Sequence, residues 1–470
     1  MSRISWENFS KTLYEAVETN NDDLVSELLD QGFCINTHYD NGNTLLHVNA
    51  HAGSGKITRY LLENGCDVDA TDNDRQTALH VAFVKDNLSV AEELLKYYPE
   101  VNVKDYWNDT ALHCFAAHIK ASDATDQEEL SRMFRMARTM LSLNANPNEP
   151  DDRRHTPFHS VLMNGNPELV RLFLERGADV RRKNCYGSTA LHYCALNSDS
   201  EVMKIILDTK LVSTEEKTID KGETALHWAA QYSKYNCIQV LLDYGANVNC
   251  VDFIDRTPIF YVAQPYYPLY TADFKCQKRQ KSMELLIKRG ANLNHVTALK
   301  DTILKVLVKQ DCPCVAKQVV TYLTYRTVKN VRINERNMKV IKKNEDLLAH
   351  YNACLGEIGE MKKRKLYGTV SFYAILTADL RAIAAFARNA DLARVLKKSG
   401  IVEQSFPIFA QLIVERFNKG ARYQRILNEA ANNLHGILQF ADPTCIFYEK
   451  VLMFMSNCDL INLRNCSRSA

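Results

Sequence analysis

The sequence predicts an all-α chain: a solenoid of about nine stacked helix pairs, followed by a small helical C-terminal domain. Three observations predict it. A Thr-x-x-His tetrad recurs at Thr44–His47, Thr77–His80, Thr110–His113, Thr156–His159, Thr189–His192 and Thr224–His227, and Phe260 takes the histidine slot after Thr257. His47, His80 and His113 are evenly spaced, and His159 and His192 repeat the same step. Fourteen positions after the histidine comes a large apolar pair, as in Leu61-Leu62, Leu94-Leu95, Phe173-Leu174, Ile206-Leu207 and Leu241-Leu242. Three positions beyond several of these pairs stands a glycine (Gly65, Gly177, Gly245), always twelve positions before the next threonine. A fixed period, here about 33 residues, is the mark of a stacked repeat.

Each element follows from its residues. A threonine opening a helix accepts a hydrogen bond from a free first-turn N–H, and Pro157 and Pro258 sit where a missing donor does no harm. Ala78, Ala111, Ala190 and Ala225 fill that slot elsewhere as strong helix formers. The apolar pair is the buried stripe of a second helix, and the glycine ends it in the left-handed conformation. Asp/Asn-rich turns such as Asp72-Asn73-Asp74 return the chain to the next threonine. One repeat is therefore a turn and two antiparallel helices, and it resembles the ankyrin repeat. The histidines mark equivalent structural posts rather than catalytic ones.

The same ruler places the ends. Gly32 lies twelve positions before Thr44, which sets a capping repeat within 1–39. Gly290 stands at the same remove before Thr302, with Lys305 in the histidine slot, so the repeats of 40–324 close on a degenerate ninth. Two repeats are stretched between their helices. The first excess, Ala121 to Glu129, is polar and is expected to extend a helix. The second carries Tyr266, Tyr267 and Tyr270 between prolines, and forms either a contact surface or a loop folded back on its own repeat. Tyr106-Trp107 and Phe253-Ile254 stand in turns where most repeats carry Asn, Asp or Gly. They either touch a target or pack on the neighbouring turn.

Net charge is +2, so no global field favours nucleic acid or membrane, and neither is expected as a partner. Fourteen cysteines are scattered, several in helix-core slots such as Cys114 and Cys194, which fits reduced thiols in the cytosol or nucleus. No catalytic, cofactor or metal residues are expected. Cys312-Pro-Cys314 lacks a second pair at zinc spacing, and Gly53-Ser-Gly55-Lys56 lacks the spacing of a phosphate loop.

After about residue 325 the period vanishes. Arg326, Lys329, Arg332, Arg336, Lys339, Lys342 and Lys343 stand against Glu335 alone, and Lys362-Lys363-Arg364-Lys365 follows a helical stretch. This predicts a basic helical linker over 325–364, and the Lys362–Lys365 cluster is read first as a solvated face and second as an import signal or electrostatic patch. Helical spacing resumes at Leu376, Leu380, Ile383 and Phe386, and at Phe409, Leu412, Ile413 and Phe417.

Ser371-Phe-Tyr-Ala-Ile-Leu376, Ala385-Phe-Ala-Arg-Asn389 and Phe406-Pro-Ile-Phe-Ala410 resemble the PRANC domain, the carboxy-terminal domain of poxvirus ankyrin proteins also met in parasitoid wasps. The resemblance places such a domain over 365–470, and implies a truncated F-box-like end at about 442–468. Val451, Leu452, Met455, Asp459, Leu460 and Leu463 then fall in the adaptor-docking half of that pattern. Pro443 and Ile446 fall in the first half, which departs: Pro443 comes one residue early, and Asp442 stands where leucine is usual. By this resemblance the chain recruits targets to a cullin-RING ubiquitin ligase through a Skp-type adaptor. The alternative is an inhibitor of the IκB type, which masks its target and needs no such end.

Overall fold

The computed structural model describes residues 3–29, 35–118, 127–196, 200–264, 272–310, 312–367, 370–397 and 401–438. Within these, the chain is a succession of paired helices. The first repeat pairs α1 (Arg3–Glu18) with α2 (Asp22–Leu29), and the second pairs α3 (Leu45–Ala52) with α4 (Gly55–Glu63). There follow α5 (Ala78–Val84) with α6 (Leu88–Leu95), α7 (Ala111–His118) with α8 (Gln127–Ser142), and α9 (Pro157–Asn164) with α10 (Pro167–Glu175). Next come α11 (Ala190–Leu196) with α12 (Glu201–Asp208), α13 (Ala225–Gln231) with α14 (Tyr235–Asp243), and α15 (Pro258–Ala263) with α16 (Ala272–Lys288). First helices pack on first helices and second on second along this series. The two stretched repeats have the longest second helices of the series: α8 has 16 residues and α16 has 17.

The recurrent tetrad explains the stack. Thr44, Thr77, Thr156 and Thr224 are extended residues at helix starts, each forming a capping box with the histidine three residues on. In all six tetrads the histidine Nδ1 accepts from the threonine N–H at 3.0–3.2 Å and lies 2.8–3.1 Å from its hydroxyl. Nδ1 is therefore the bare nitrogen, and Nε2 carries the proton. That Nε2–H donates 2.8–3.3 Å to a carbonyl of the next repeat: Gln76, Asp109, His155, Arg182, Glu223 and Arg256 in turn. Where Phe260 replaces histidine, the buried Thr257 hydroxyl finds no partner among the described residues.

The chain divides into two compact units, Met1–Asn292 with Val296–Asp301, and Leu293–His295 with Thr302–Ala470. The second begins with α17 (Ile303–Lys309) and α18 (Pro313–Val328), followed by α19 (Glu335–Lys343) and α20 (Glu345–Lys363). A short β1 (Lys365–Tyr367) pairs antiparallel with β2 (Val370–Ser371). Then come α21 (Phe372–Thr377), α22 (Leu380–Ala387), α23 (Ala390–Lys397), α24 (Ile401–Ser405) and the 29-residue α25 (Ala410–Leu438).

The linker expected at 325–364 needs correction. α19 packs on α17 and α20 on α18, so helix pairing continues through Lys363. The reason is apolar: Leu347, Cys354, Ile358 and Met361 bury along α20, the last three in one core with Phe372, Leu376, Phe406 and Phe409. Polar contacts complete that core. The Glu357 carboxylate accepts from the backbone N–H groups of Ile408 and Phe409 just ahead of α25. The Arg416 guanidinium donates to the carbonyls of Ile375 and Ala378 at the end of α21. Both contacts satisfy helix-end groups that burial would otherwise leave unpaired.

Candidate functional site

Between successive helix pairs of the first unit the chain runs out into a finger. An Asp or Asn at its base turns the backbone: Asp105 Oδ1 accepts from the N–H of Trp107 and Asp109, Asn184 from Tyr186 and Ser188, and Asp252 from Ile254 and Arg256. This leaves the next two side chains pointing away from the helices. Successive fingers are joined by single backbone bonds of 2.8–3.3 Å, from Asn73 to Asn41, Tyr106 to Asp74, Asp152 to Trp107, Cys185 to Arg153, Ile219 to Tyr186, Phe253 to Lys221 and Ala298 to Ile254. The donor is always the residue after the turning Asp, Asn or Thr. The register is thus fixed finger by finger.

The ladder lines up apolar side chains. Tyr106 and Trp107 are exposed on one finger, and Tyr186, Ile219, Phe253 and Leu299 on four consecutive later ones, each between 51% and 69% accessible. Ile219 lies on Gly187 and the Phe253 ring on Gly222, glycines of the preceding fingers whose positive φ and lack of a side chain permit this approach. Phe253 therefore packs on its neighbour with one edge and stays open to solvent with the rest. Ile254 is half-buried. Sequence reasoning singled out Tyr106, Trp107, Phe253 and Ile254, but missed Tyr186, Ile219 and Leu299. Their signal was position: each falls one or two residues after the residue that turns its finger.

Tyr266, Tyr267 and Tyr270 lie outside the described residues, as do Pro443, Ile446, Val451, Leu452, Met455, Asp459, Leu460 and Leu463.

Beneath the apolar fingers sits a buried polar network. Trp228 Nε1 donates to Glu223 at 2.8 Å, and Arg256 donates both to Asp252 at 2.7 Å and to the Tyr261 hydroxyl at 2.8 Å. The Tyr261 hydroxyl lies 2.7 Å from Glu223 and 2.8 Å from Asp252. Burial alone would raise the Asp252 carboxyl, but the bonds from Arg256 and Tyr261 hold it below the usual range. The network thus fixes two adjacent fingers rather than offering open donors.

Burial pushes the repeat histidines down, His113, His159, His192 and His227 to about 4, with the carbonyl bond offsetting only part of it. It pushes the thiols up, Cys66 to about 12, and Cys250 and Cys354 to about 11. Thiols held protonated are not activated nucleophiles, and imidazoles weakened by burial with both ring nitrogens already bonded are poor general bases. Cys114 and Cys194 are free and buried. Cys314 is disulfide-bonded, which corrects the expectation of a wholly reduced set at that position. Among the described residues no group of three His, Cys, Asp or Glu could hold a metal ion. None of their helices is long and apolar enough to cross a membrane.

The family models agree with this geometry. Models of ankyrin repeats match residues 13–105, 130–216 and 221–253, leaving out the polar insertion. An ankyrin repeat protein of Acanthamoeba polyphaga mimivirus is 28% identical over 34% of this chain and 19% of its own length. The B-cell lymphoma 3 protein homolog of Mus musculus is 25% identical over 30% of each chain. A protein of Oryza sativa subsp. japonica named as an E3 ubiquitin-protein ligase is 31% identical over 22% of this chain and 18% of its own. The matched segments thus span less than a third of each of these relatives. The ankyrin repeat domain of human ASB11 is 22% identical, covering 50% of this chain and 98% of that domain at a TM-score of 0.41. The repeats of the first unit are ankyrin repeats, and the chain folds as an all-α solenoid built on them.

Proposed function

We propose that this ankyrin-repeat chain is a non-catalytic scaffold that holds a protein target on its finger edge and recruits it to a cullin-RING ubiquitin ligase. The observation that carries target binding is the row Tyr186, Ile219, Phe253 and Leu299. Four neighbouring fingers present large apolar side chains to solvent in a register fixed by backbone bonds. A preformed apolar edge binds without an ordering cost, and aromatic side chains of this kind are frequent interface anchors. The recruiting half rests on the resemblance of 365–470 to the PRANC domain and on the apolar positions Val451, Leu452, Met455, Leu460 and Leu463 of its F-box-like end. The likeness to a plant protein named as a ubiquitin ligase supports it only at the level of the repeats.

A second reading, a masking inhibitor of the IκB type, is favoured by the likeness to the B-cell lymphoma 3 protein homolog. Affinity purification of the full chain separates the two. The ligase reading expects an adaptor and a cullin beside the target, their loss in Leu452→Asp/Leu460→Asp, and retention of the target. In Tyr186→Ser/Phe253→Ser the target should be lost and the adaptor kept. If the wild-type chain brings down a target but never an adaptor or cullin, masking is the better account. Target capture unaffected by the finger double variant overturns the finger edge as the binding site.

A further inference from the structure

We infer that α17 and α19, with the turn before α19, form a docking surface for an acidic polypeptide segment. The net charge of +2 hides a strong asymmetry: between Thr302 and Lys343 the sequence holds ten Lys and Arg against only Asp311 and Glu335. The structure brings most of them to one place. α17 and α19 pack against each other, and Lys305, Lys309, Lys329, Arg332, Arg336, Lys339, Lys342 and Lys343 are all exposed on them or on the turn between α18 and α19.

Beyond their density, five of these cations lack a counter-charge among the described residues. In the first unit several surface cations bridge to carboxylates of neighbouring repeats: Arg59 to Glu93, Arg171 to Glu201, Lys183 to Glu216 and Arg289 to Asp243, all at 2.7–2.8 Å. Among the described residues, Lys309, Arg332, Lys339, Lys342 and Lys343 have no carboxylate within 4.0 Å. Like charges gathered without counter-charges repel one another and destabilise the unit that carries them. An external polyanion removes that repulsion.

The side chains favour a carboxylate-rich peptide over a nucleic acid. Most of the cations are lysines, point charges that impose no planar two-pronged geometry on their partner. No large aromatic ring is exposed among them: Tyr325 and Tyr351 are half-buried, so a single strand has no stacking platform. α19, with nine residues, is about 13 Å long, room for a few residues of extended peptide but for only a few base pairs of duplex.

Fluorescence anisotropy with the full chain tests this, using a labelled oligo-glutamate peptide of roughly twelve residues and a labelled DNA duplex of about twenty base pairs. The peptide should bind, and weaken about tenfold or more between roughly 50 and 300 mM NaCl, as screening shortens the reach of the lysines. Lys339→Glu/Lys342→Glu/Lys343→Glu should reduce peptide affinity at least about tenfold, whereas Lys183→Glu/Lys204→Glu/Lys221→Glu in the first unit should not. If the first triple variant loses its helical circular dichroism, Lys342→Gln/Lys343→Gln takes its place and should weaken binding in the same direction. Absence of peptide binding, tighter binding of the duplex, or equal losses in the two triple variants would each overturn the assignment.

Discussion

The two compact units build helix pairs in different ways. In the first, a finger separates each pair from the next, and neighbours are joined by a histidine bond, a backbone bond between fingers and, in several repeats, an asparagine clamp. Asn148 Nδ2 donates to the Gly177 carbonyl while its Oδ1 accepts from the Asp179 N–H, and Asn36, Asn102 and Asn249 repeat the arrangement. The second unit keeps the clamp and drops the rest. Asn294 donates to the Arg332 carbonyl and accepts from the Asn334 N–H, and Asn334 then caps α19 at once, so the finger is absent. Stacking needs only the clamp and apolar faces. The finger serves register and surface.

The contrast can be broken most strongly by pH. His113, His159, His192 and His227 are neutral in the fold and titrate near 6.5 when unfolded, so their stabilisation is present above that value and is lost as pH falls towards about 4. At pH 5.5 each of the four most shifted should have lost about 1.2 kcal/mol relative to neutral pH. Hydrogen exchange should therefore report several kcal/mol of weakening in peptides of the first unit on going from about pH 7 to 5.5, after correction for intrinsic exchange. In α17–α20 it should report much less, since no histidine holds that post there. Equal loss in both units would sink the histidine account.

Next in size is the apolar core of the second unit. Phe409 is fully buried there, and Phe409→Ala should cost about 3–5 kcal/mol, read as faster exchange in α20, α21 and α25. A smaller effect separates the two uses of the asparagine. Asn294→Ala should weaken α19–α20 by about 1–2 kcal/mol, whereas Asn148→Ala should cost less because finger and histidine bonds hold its neighbours as well. Equal costs would mean that the fingers add nothing to stacking. The smallest prediction concerns one hydroxyl. Thr224→Val removes a bonded group and should cost about 1 kcal/mol, while Thr257→Val removes a buried hydroxyl without a described partner and should be neutral or stabilising by up to about 1 kcal/mol. Chemical denaturation of the two variants compares them directly.

These differences explain what the sequence disclosed. The tetrads were legible because threonine and histidine each perform a task few residues can replace, so their period survives in the text. The helix of α20 was legible in its pattern, but the packing of α19 and α20 was not, since apolar packing accepts many residues and leaves no fixed letters, and the lysines between drew the reading towards a linker. On the finger edge, Trp107 and Phe253 stood out as aromatics in turns. Tyr186, Ile219 and Leu299 did not, because single apolar residues beside Asn or Thr are commonplace until a backbone ladder aligns them. The adaptor positions from Pro443 to Leu463 lie outside the described residues, and rest on resemblance alone.

The partnerless Thr257 hydroxyl also bears on how such a chain changes length over generations. Between Thr44 and Thr224 every repeat presents the same donor on one side and the same acceptor on the other, so a unit duplicated or deleted whole leaves both new neighbours chemically matched. At Phe260 that interchangeability ends: a unit spliced in behind it would meet a ring where it expects an N–H. Whole-unit recombination would therefore keep neighbours matched only on the amino-terminal side of Phe260.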